Sequence, residues 1–260
     1  MKLKQVRIAM HDQGVGAIVV LGGDGTNRVV VSACGNIPIA GVSTGTNNAF
    51  PELREPTITG LAVGLAVTGQ VPSDLAYSFN KRIEVLVNDK REIALVDAAV
   101  VTERYIGARA IWKTENFRDL FVTFGRPDGI GMSSIVGLLD PLNRDTPEGR
   151  RVKLLPLEEA KVILAAPIAP GLIENVGIGA VETLKPDQHY KPSVSVGSFA
   201  LDGERELTFS EIDDVAVRLQ TDAFRTINVP DCMAYAAKFG LLTSKANNRL
   251  AQLSKKGRTS

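Results

Sequence analysis

The stretch GAIVVLGGDGT, residues 16–26, decides how the rest of the chain is read. Its first half, GAIVVL (16–21), is short, apolar and rich in β-branched residues, the pattern of a buried strand. The run stops at Gly22, Gly23, Asp24, Gly25 and Thr26, where glycines permit a tight turn and let a ligand approach the backbone closely. TNRVVVSACG (26–35) follows as a short helix with Gly35 as its stop. Strand, glycine turn and helix together aim backbone N–H groups at a phosphate. Asp24 sets a carboxylate at the tip, able to hold Mg²⁺ or to polarise an attacking hydroxyl. The same residues also suit a plain βα turn with Asp24 as its N-cap.

Downstream, IPIAGVS (37–43) reads as a second buried strand ending in another small-residue turn, TGTNNAFP (44–51). Two such turns on neighbouring parallel strands face one crevice, the place where open α/β sheets bind ligands. Thr44, Gly45, Thr46, Asn47 and Asn48 offer hydroxyls, amides and backbone donors suited to phosphates and ribose. An Asn/Gly-rich loop capping the next helix is the alternative. PTITGLAVGLAV (56–67) is expected to be that helix, with Pro in its first turn. Gly60 and Gly64 lie four apart on one face, placed for close packing against the sheet. Upstream, MKLKQVRIAMHDQGVG (1–16) reads as one helix stopped at Gly14.

Around Pro72 the pattern changes to short alternating or β-branched runs. Examples are RIEVLVN (82–88), REIALVDAAVVT (91–102), ARAIW (108–112), GMSSIVGLL (131–139), RVKLLPL (151–157), KVILAAPI (161–168), SVSVGSFAL (193–201) and RELTF (205–209). Turn signals such as NDK, PDG, NRDTPEG, APG and LDGE separate them. The one expected helix in this region is TENFRDLFVTF (114–124). INVPDCMAYAAKFGLLT (227–243) reads as strand then helix, returning to the first unit. The expected fold is α/β plus β: a partial Rossmann-like nucleotide domain at 1–72, an all-β sandwich-type domain at 73–226, and a returning strand and helix from 227. The tail from Lys238 carries six basic residues and no acidic one, the composition of a solvated tail.

With 260 residues there is ample material for a core, and a formal charge of +1 gives no global drive towards nucleic acid or an anionic membrane. Two cysteines, Cys34 and Cys232, make neither a disulfide scaffold nor a zinc cluster. Two histidines, His11 and His189, argue against a histidine triad or a multi-histidine metal site. No signal-peptide pattern or long apolar span is present, so a cytoplasmic location is expected.

The GGDGT block resembles the ATP-NAD kinase and diacylglycerol kinase superfamily, and the wider text GVGAIVVLGGDGTNRVV, GVSTGTNNAFPE and GLAVGLA resembles its acetoin catabolism protein X branch. In that superfamily GGDGT is the nucleotide phosphate loop and its Asp the catalytic carboxylate. The resemblance therefore implies that Asp24 is catalytic and that Gly22, Gly23, Gly25, Thr26 and Asn27, with the 44–48 loop, bind nucleotide phosphates. It implies ATP and Mg²⁺ as cofactors, NAD as a possible substrate, and small nucleotides rather than nucleic acid or membrane as partners. ALVDAAVV (94–101) is similar to the family's ALND-type strand, with Asp97 matching the acidic acceptor-binding residue and Val96 replacing the Asn. Val can neither donate nor accept at a ribose. The alternative for Asp97 is a carboxylate on a solvated strand face. RPDGIGMSS (126–134) is a loose match to a dinucleotide segment, and a hairpin turn explains PDG equally well.

LDGERELTF (201–209) carries an Asp-Gly-Glu turn that recurs in the superfamily, which assigns Asp202 and Glu204 to metal or catalytic support. A type I′ hairpin turn explains Asp-Gly as well. Asn48 stands where an acidic residue often lies. Relative to the superfamily the chain is expected to be N-terminally short, lacking the first βαβ unit and leaving a sheet edge bare. That edge, with the family's habit, points to a homo-oligomer. Three functions follow: phosphorylation of the NAD ribose 2′-OH or a related hydroxyl; nucleotide binding in a regulatory role without efficient turnover; and a lipid kinase, ranked last because no basic amphipathic helix is present.

Overall fold

The computed structural model describes residues 13–45, 48–102 and 114–244. The expected helix at 1–16 falls almost wholly outside these residues, as do ARAIW, Thr46, Asn47 and most of the basic tail.

Strand β1 (Ile18–Leu21) runs into helix α1 (Asp24–Cys34), which ends at Gly35 with a positive φ of 60°. The N-cap is Gly23, not Asp24, and as a glycine it offers no capping side chain of its own. Strand β2 (Ile39–Val42) lies parallel to β1, so the turn after each strand opens on the same edge. Helix α2 (Pro56–Val67) starts with Pro at N1 and is capped by Glu55, whose carboxylate accepts from the Ile58 amide. It buries Thr59, Ala62, Leu65 and Ala66. Gly60 and Gly64 lie on its opposite, exposed face, where an added Cβ would meet nothing within 4 Å. The expected close packing of these glycines is therefore corrected: the small side chain of Ala62, not the glycines, makes the approach.

A short helix α3 (Ser73–Ala76) leads into β3 (Tyr77–Val87) and β4 (Lys90–Ala94). The run expected as one strand at 91–102 is two, because β5 (Asp97–Val101) leaves for a second sheet after a corner at Leu95 and Val96. The expected helix at 114–124 is a single 3₁₀ turn (Thr114–Asn116) and then strand β6 (Phe117–Val122). Phe117, Leu120, Phe121 and Phe124 stand at i, i+3, i+4 and i+7, which imitates a helical stripe. Phe117, Leu120 and Phe121 are instead apolar positions on a central strand covered on both faces, Leu120 towards one core and Phe121 towards another, and Phe124 lies just past its end in a third core.

The reverse correction applies to 131–139. There Ser133–Leu139 forms helix α4, entered from Gly131 at φ 91°, with the Ser134 amide and hydroxyl both donating to the Gly131 carbonyl. Its residues Ser133 to Gly137 are all buried, so no period of 3.6 marks it in the sequence. A Cβ on Gly137 would sit 2.1 Å from the Arg126 carbonyl oxygen, so the helix packs directly on the 126 turn.

Strands β7 (Gly149–Leu155), β8 (Val162–Ala169), β9 (Leu172–Leu184), β10 (His189–Tyr190), β11 (Gly197–Leu201), β12 (Glu204–Phe209) and β13 (Val215–Ile227) follow, and helix α5 (Val229–Lys238) closes the described chain against α2. The first sheet has the order β1-β2-β13-β3-β4, with β10 also on β13; the second has the order β12-β11-β5-β6-β7-β9-β8. The first is mixed, since β13 runs parallel to β2 and antiparallel to β3; the second is antiparallel. Between the sheets lies a core of Ile83, Val85, Phe121, Phe199, Leu201 and Leu219 among others. A second core lies under α1, a third between the second sheet and α4, and a fourth under α2 and α5. Among the described residues no helix is long and apolar enough to cross a membrane.

Candidate active site

Three carboxylates from distant parts of the chain meet where the two sheets adjoin. Asp24 comes from the β1–α1 turn, Asp97 from the start of β5 and Asp202 from the β11–β12 hairpin. Together with Ala49, Ile130, Gly131, Met132, Ser133, Ile168 and Gly203 they line a cavity of about 80 Å³.

Asp24 is held by the loop after β2. Its two oxygens accept from the Ala49 amide at 2.9 Å and the Phe50 amide at 2.8 Å. Its own amide donates to Asn48 Oδ1 at 3.3 Å, and Asn48 Nδ2 donates to the Ser43 hydroxyl at 2.8 Å. Asn48 thus uses both ends of its amide. An acid at this position would lack that donor and would set a second negative charge beside Asp24. Burial raises the Asp24 pKa above the ordinary carboxylate value, opposed by the two amides and by the charge of Arg144.

The glycines of the turn are explained by close approach. A Cβ on Gly22 would lie 2.7 Å from Thr26, one on Gly23 2.5 Å from Asn48 Oδ1, and one on Gly25 2.7 Å from Glu204 Oε1. Asn27 is fully buried and donates from Nδ2 to the Gly23 carbonyl at 2.9 Å, so it supports the turn from beneath. Thr26, Thr44 and Gly45 are exposed.

Asp97 is 7% exposed, which replaces the solvated-face alternative with a buried group. Burial pushes its pKa well up, and the charges of Asp202 and Asp24 push the same way, while the Ser133 amide opposes. The 126–134 segment is therefore a turn leading into α4, not a hairpin, and it brings Ser133 to Asp97.

Asp202 and Gly203 are the two central residues of the β11–β12 hairpin, with φ of 49° and 80°, as a type I′ turn requires. The Asp202 carboxylate does more than turn the chain. It accepts from the amides of Leu95 at 2.9 Å and Val96 at 2.8 Å, and so fixes the corner where the chain passes between sheets. Its pKa is pushed up to about 7 by burial, against the pull of those two amides; Asp24 raises it further and Arg28 lowers it. Glu204 projects outward and pairs with Arg28 at 2.9 Å, which places its carboxylate over the N-terminal turn of α1.

Two arginines complete the site, and the sequence reading missed both. Arg28 lies one helical turn after Asp24 and is 4% exposed. The i, i+4 spacing from Asp24 was a usable signal. Arg144, from the loop after α4, donates to the Ala49 and Phe50 carbonyls. Its NRDTPEG context signals only a turn, so nothing local marks it. Among the described residues no group of three His, Cys, Asp or Glu side chains is arranged to hold a metal ion. Asp24, Asp97 and Asp202 each accept from backbone amides, and each carboxylate keeps lone pairs beyond those bonds.

A strand–glycine turn–helix whose carboxylate faces a cleft at the second, β-rich layer defines the NAD kinase-like fold. Residues 2–69 match the ATP-NAD kinase N-terminal domain, and residues 81–222 match the acetoin catabolism protein X C-terminal domain. The fold is similar to that of yeast NADH kinase complexed with NADH, at a TM-score of 0.50 and 15% identity, covering 89% of this chain and 67% of that one. Acetoin catabolism protein X of Cupriavidus necator (strain H16) is 48% identical over 240 residues, which are 90% of this chain and 67% of that protein. The chain belongs to the acetoin catabolism protein X family.

Proposed function

We propose that the chain is an ATP-dependent phosphotransferase whose acceptor is the adenosine ribose 2′-OH of NAD or a related hydroxyl, with Asp24 as the base. One observation carries this reading: both Asp24 oxygens are oriented by consecutive amides, and its carboxylate lines the cavity at the carboxyl end of two parallel strands. The acceptor oxygen attacks the γ-phosphorus, the O–P bond forms, the bond from phosphorus to the β-bridging oxygen breaks, and ADP leaves. The acceptor's proton passes to Asp24. A pKa raised by burial brings a carboxylate nearer to the operating pH, where a general base works best. Positioning and charge neutralisation supply most of the catalysis in phosphoryl transfer, which fits a site without a nucleophile triad. The likeness to NADH kinase and to the ATP-NAD kinase domain supports the choice of acceptor and donor.

A second reading is nucleotide binding with little turnover. The apolar Val96 beside Asp97, the cavity of about 80 Å³, and Glu204 lying over Gly25 favour it. Calorimetric titration with ATP and with NAD, run beside a product assay, separates the two. Binding with NADP formation supports the phosphotransferase; binding without product supports the second reading; no binding of either nucleotide refutes both.

A further inference from the structure

The Ala49–Phe50 peptide group is gripped from both ends. Its N–H donates to Asp24 Oδ1 at 2.8 Å, and its carbonyl oxygen, that of Ala49, accepts from Arg144 Nη2 at 2.7 Å. A peptide group is planar, so fixing the oxygen fixes the direction of the N–H. The same nitrogen of Arg144 reaches the Phe50 carbonyl at 2.6 Å, which anchors the next peptide as well. The guanidinium cannot slide. It is stacked against Phe124, 4.3 Å from the ring centroid, and Phe50, 5.0 Å from the centroid. A cation on the carbonyl also polarises the peptide and strengthens its N–H as a donor.

The loop that carries Arg144 is itself tied down. Lys81 on β3 is 6% exposed, and its ammonium donates to the carbonyls of Asn143 at 3.0 Å, Thr146 at 2.6 Å and Glu148 at 2.8 Å. Arg150 pairs with Glu148 and with Asp140 at the two ends of the same loop. A contiguous path of contacts therefore runs from β3 through the loop and Arg144 to the candidate catalytic carboxylate.

We infer that Arg144 is the positioning residue of this site, acting through the Ala49–Phe50 peptide to aim the Asp24 carboxylate. The inference rests on the reading of Asp24 as the reacting group for its kinetic consequence, but its physical content does not. The charged groups that face Asp24 are Arg144, Asp97 and Asp202; those that face Arg144 are Asp24, Arg126 and Arg54. Of these, Arg144 is the cation whose charge lowers the proton affinity of Asp24.

The test is a carboxyl-carbon NMR titration of the full chain, with the Asp24 signal assigned by its absence in Asp24→Asn. Arg144→Gln, which removes the charge and the double contact, raises the Asp24 midpoint by about one pH unit. Arg144→Lys, which keeps a charge on the loop but not the forked contact, leaves the midpoint near that of the wild type. If the chain turns over NAD and ATP, both variants lose roughly ten- to a hundredfold in kcat at a nearly unchanged KM, and only Arg144→Gln moves the acidic limb of the rate profile to higher pH. An Asp24 midpoint unchanged in a folded Arg144→Gln overturns the inference. If Arg144→Gln does not fold, a kcat in Arg144→Lys equal to that of the wild type overturns it instead. A wild type without activity refutes the phosphotransferase reading alone, because the titration still reads the coupling of Arg144 to Asp24.

Discussion

Replacing Asp202 by Asn tests whether the buried carboxylates cost the fold stability at neutral pH. The Asp202 side chain is fully buried, and its pKa stands at about 7 against 3.8 for an unperturbed Asp. Between those values the folded chain holds a proton at this site that the unfolded chain has lost. The stability this group lends is therefore complete below the unfolded value, falls as pH rises towards about 7, and is level above it. From pH 5 to pH 8 the wild type loses roughly 2–3 kcal/mol through this group alone. Asn keeps the shape and can still accept from the Val96 amide through Oδ1, but it has no proton to lose. Removing the charge also lowers the Asp97 pKa, because Asp202 is one of the charges that raise it, so the two effects add in the same direction. Urea unfolding of both proteins at pH 5 and pH 8 gives the double difference directly. The wild type loses at least about 2 kcal/mol more than Asp202→Asn over this interval. Equal losses in the two proteins, or a wild type that gains stability from pH 5 to pH 8, refute the reasoning.

Three further outcomes follow. Glu204→Gln takes a negative charge away from the N-terminal turn of α1, so the affinity for ATP, measured by calorimetry, rises severalfold; an unchanged or weaker affinity removes Glu204 from that role. Because the Glu204 side chain is 62% exposed, loss of its pair with Arg28 costs no more than about 1 kcal/mol in urea unfolding. Gly137→Ala would set a Cβ against the Arg126 carbonyl, so it destabilises by about 2–4 kcal/mol, whereas Gly64→Ala on the open face of α2 stabilises by about 0.5–1 kcal/mol. A stabilising Gly137→Ala, or a strongly destabilising Gly64→Ala, would contradict the packing described for these helices.

What the sequence discloses here is what local chemistry governs. The stop at Gly35, Pro56 at the start of α2 and the Asp-Gly turn at 202 each act within a few residues, and each forms as its own text implies. GAIVVL also forms its strand, but at the edge of the sheet, with Val20 buried and Val19 and Leu21 exposed, so the expectation of a buried strand is corrected. Strand β6 and helix α4 exchange identities because burial on every side erases the periodicity that tells the two apart. The break at Leu95 and Val96 has no turn residue at all; a carboxylate more than a hundred positions away makes it, by capping their amides. The site divides in the same way. Asp24, Asp97 and Asp202 stand out by motif, and they do meet around one cavity. Arg144 does not stand out, since its partners are main-chain carbonyls at residues 49 and 50, and carbonyls carry no sequence signature.

The central claim is that Asp24 is the base of a phosphoryl transfer to NAD. The most direct measurement is NADP formation by the purified chain given ATP, Mg²⁺ and NAD, with Asp24→Asn assayed alongside at equal nucleotide occupancy. NADP from the wild type, with a loss of at least about a hundredfold in the variant, is the expected result. Equal rates in the two proteins would contradict it.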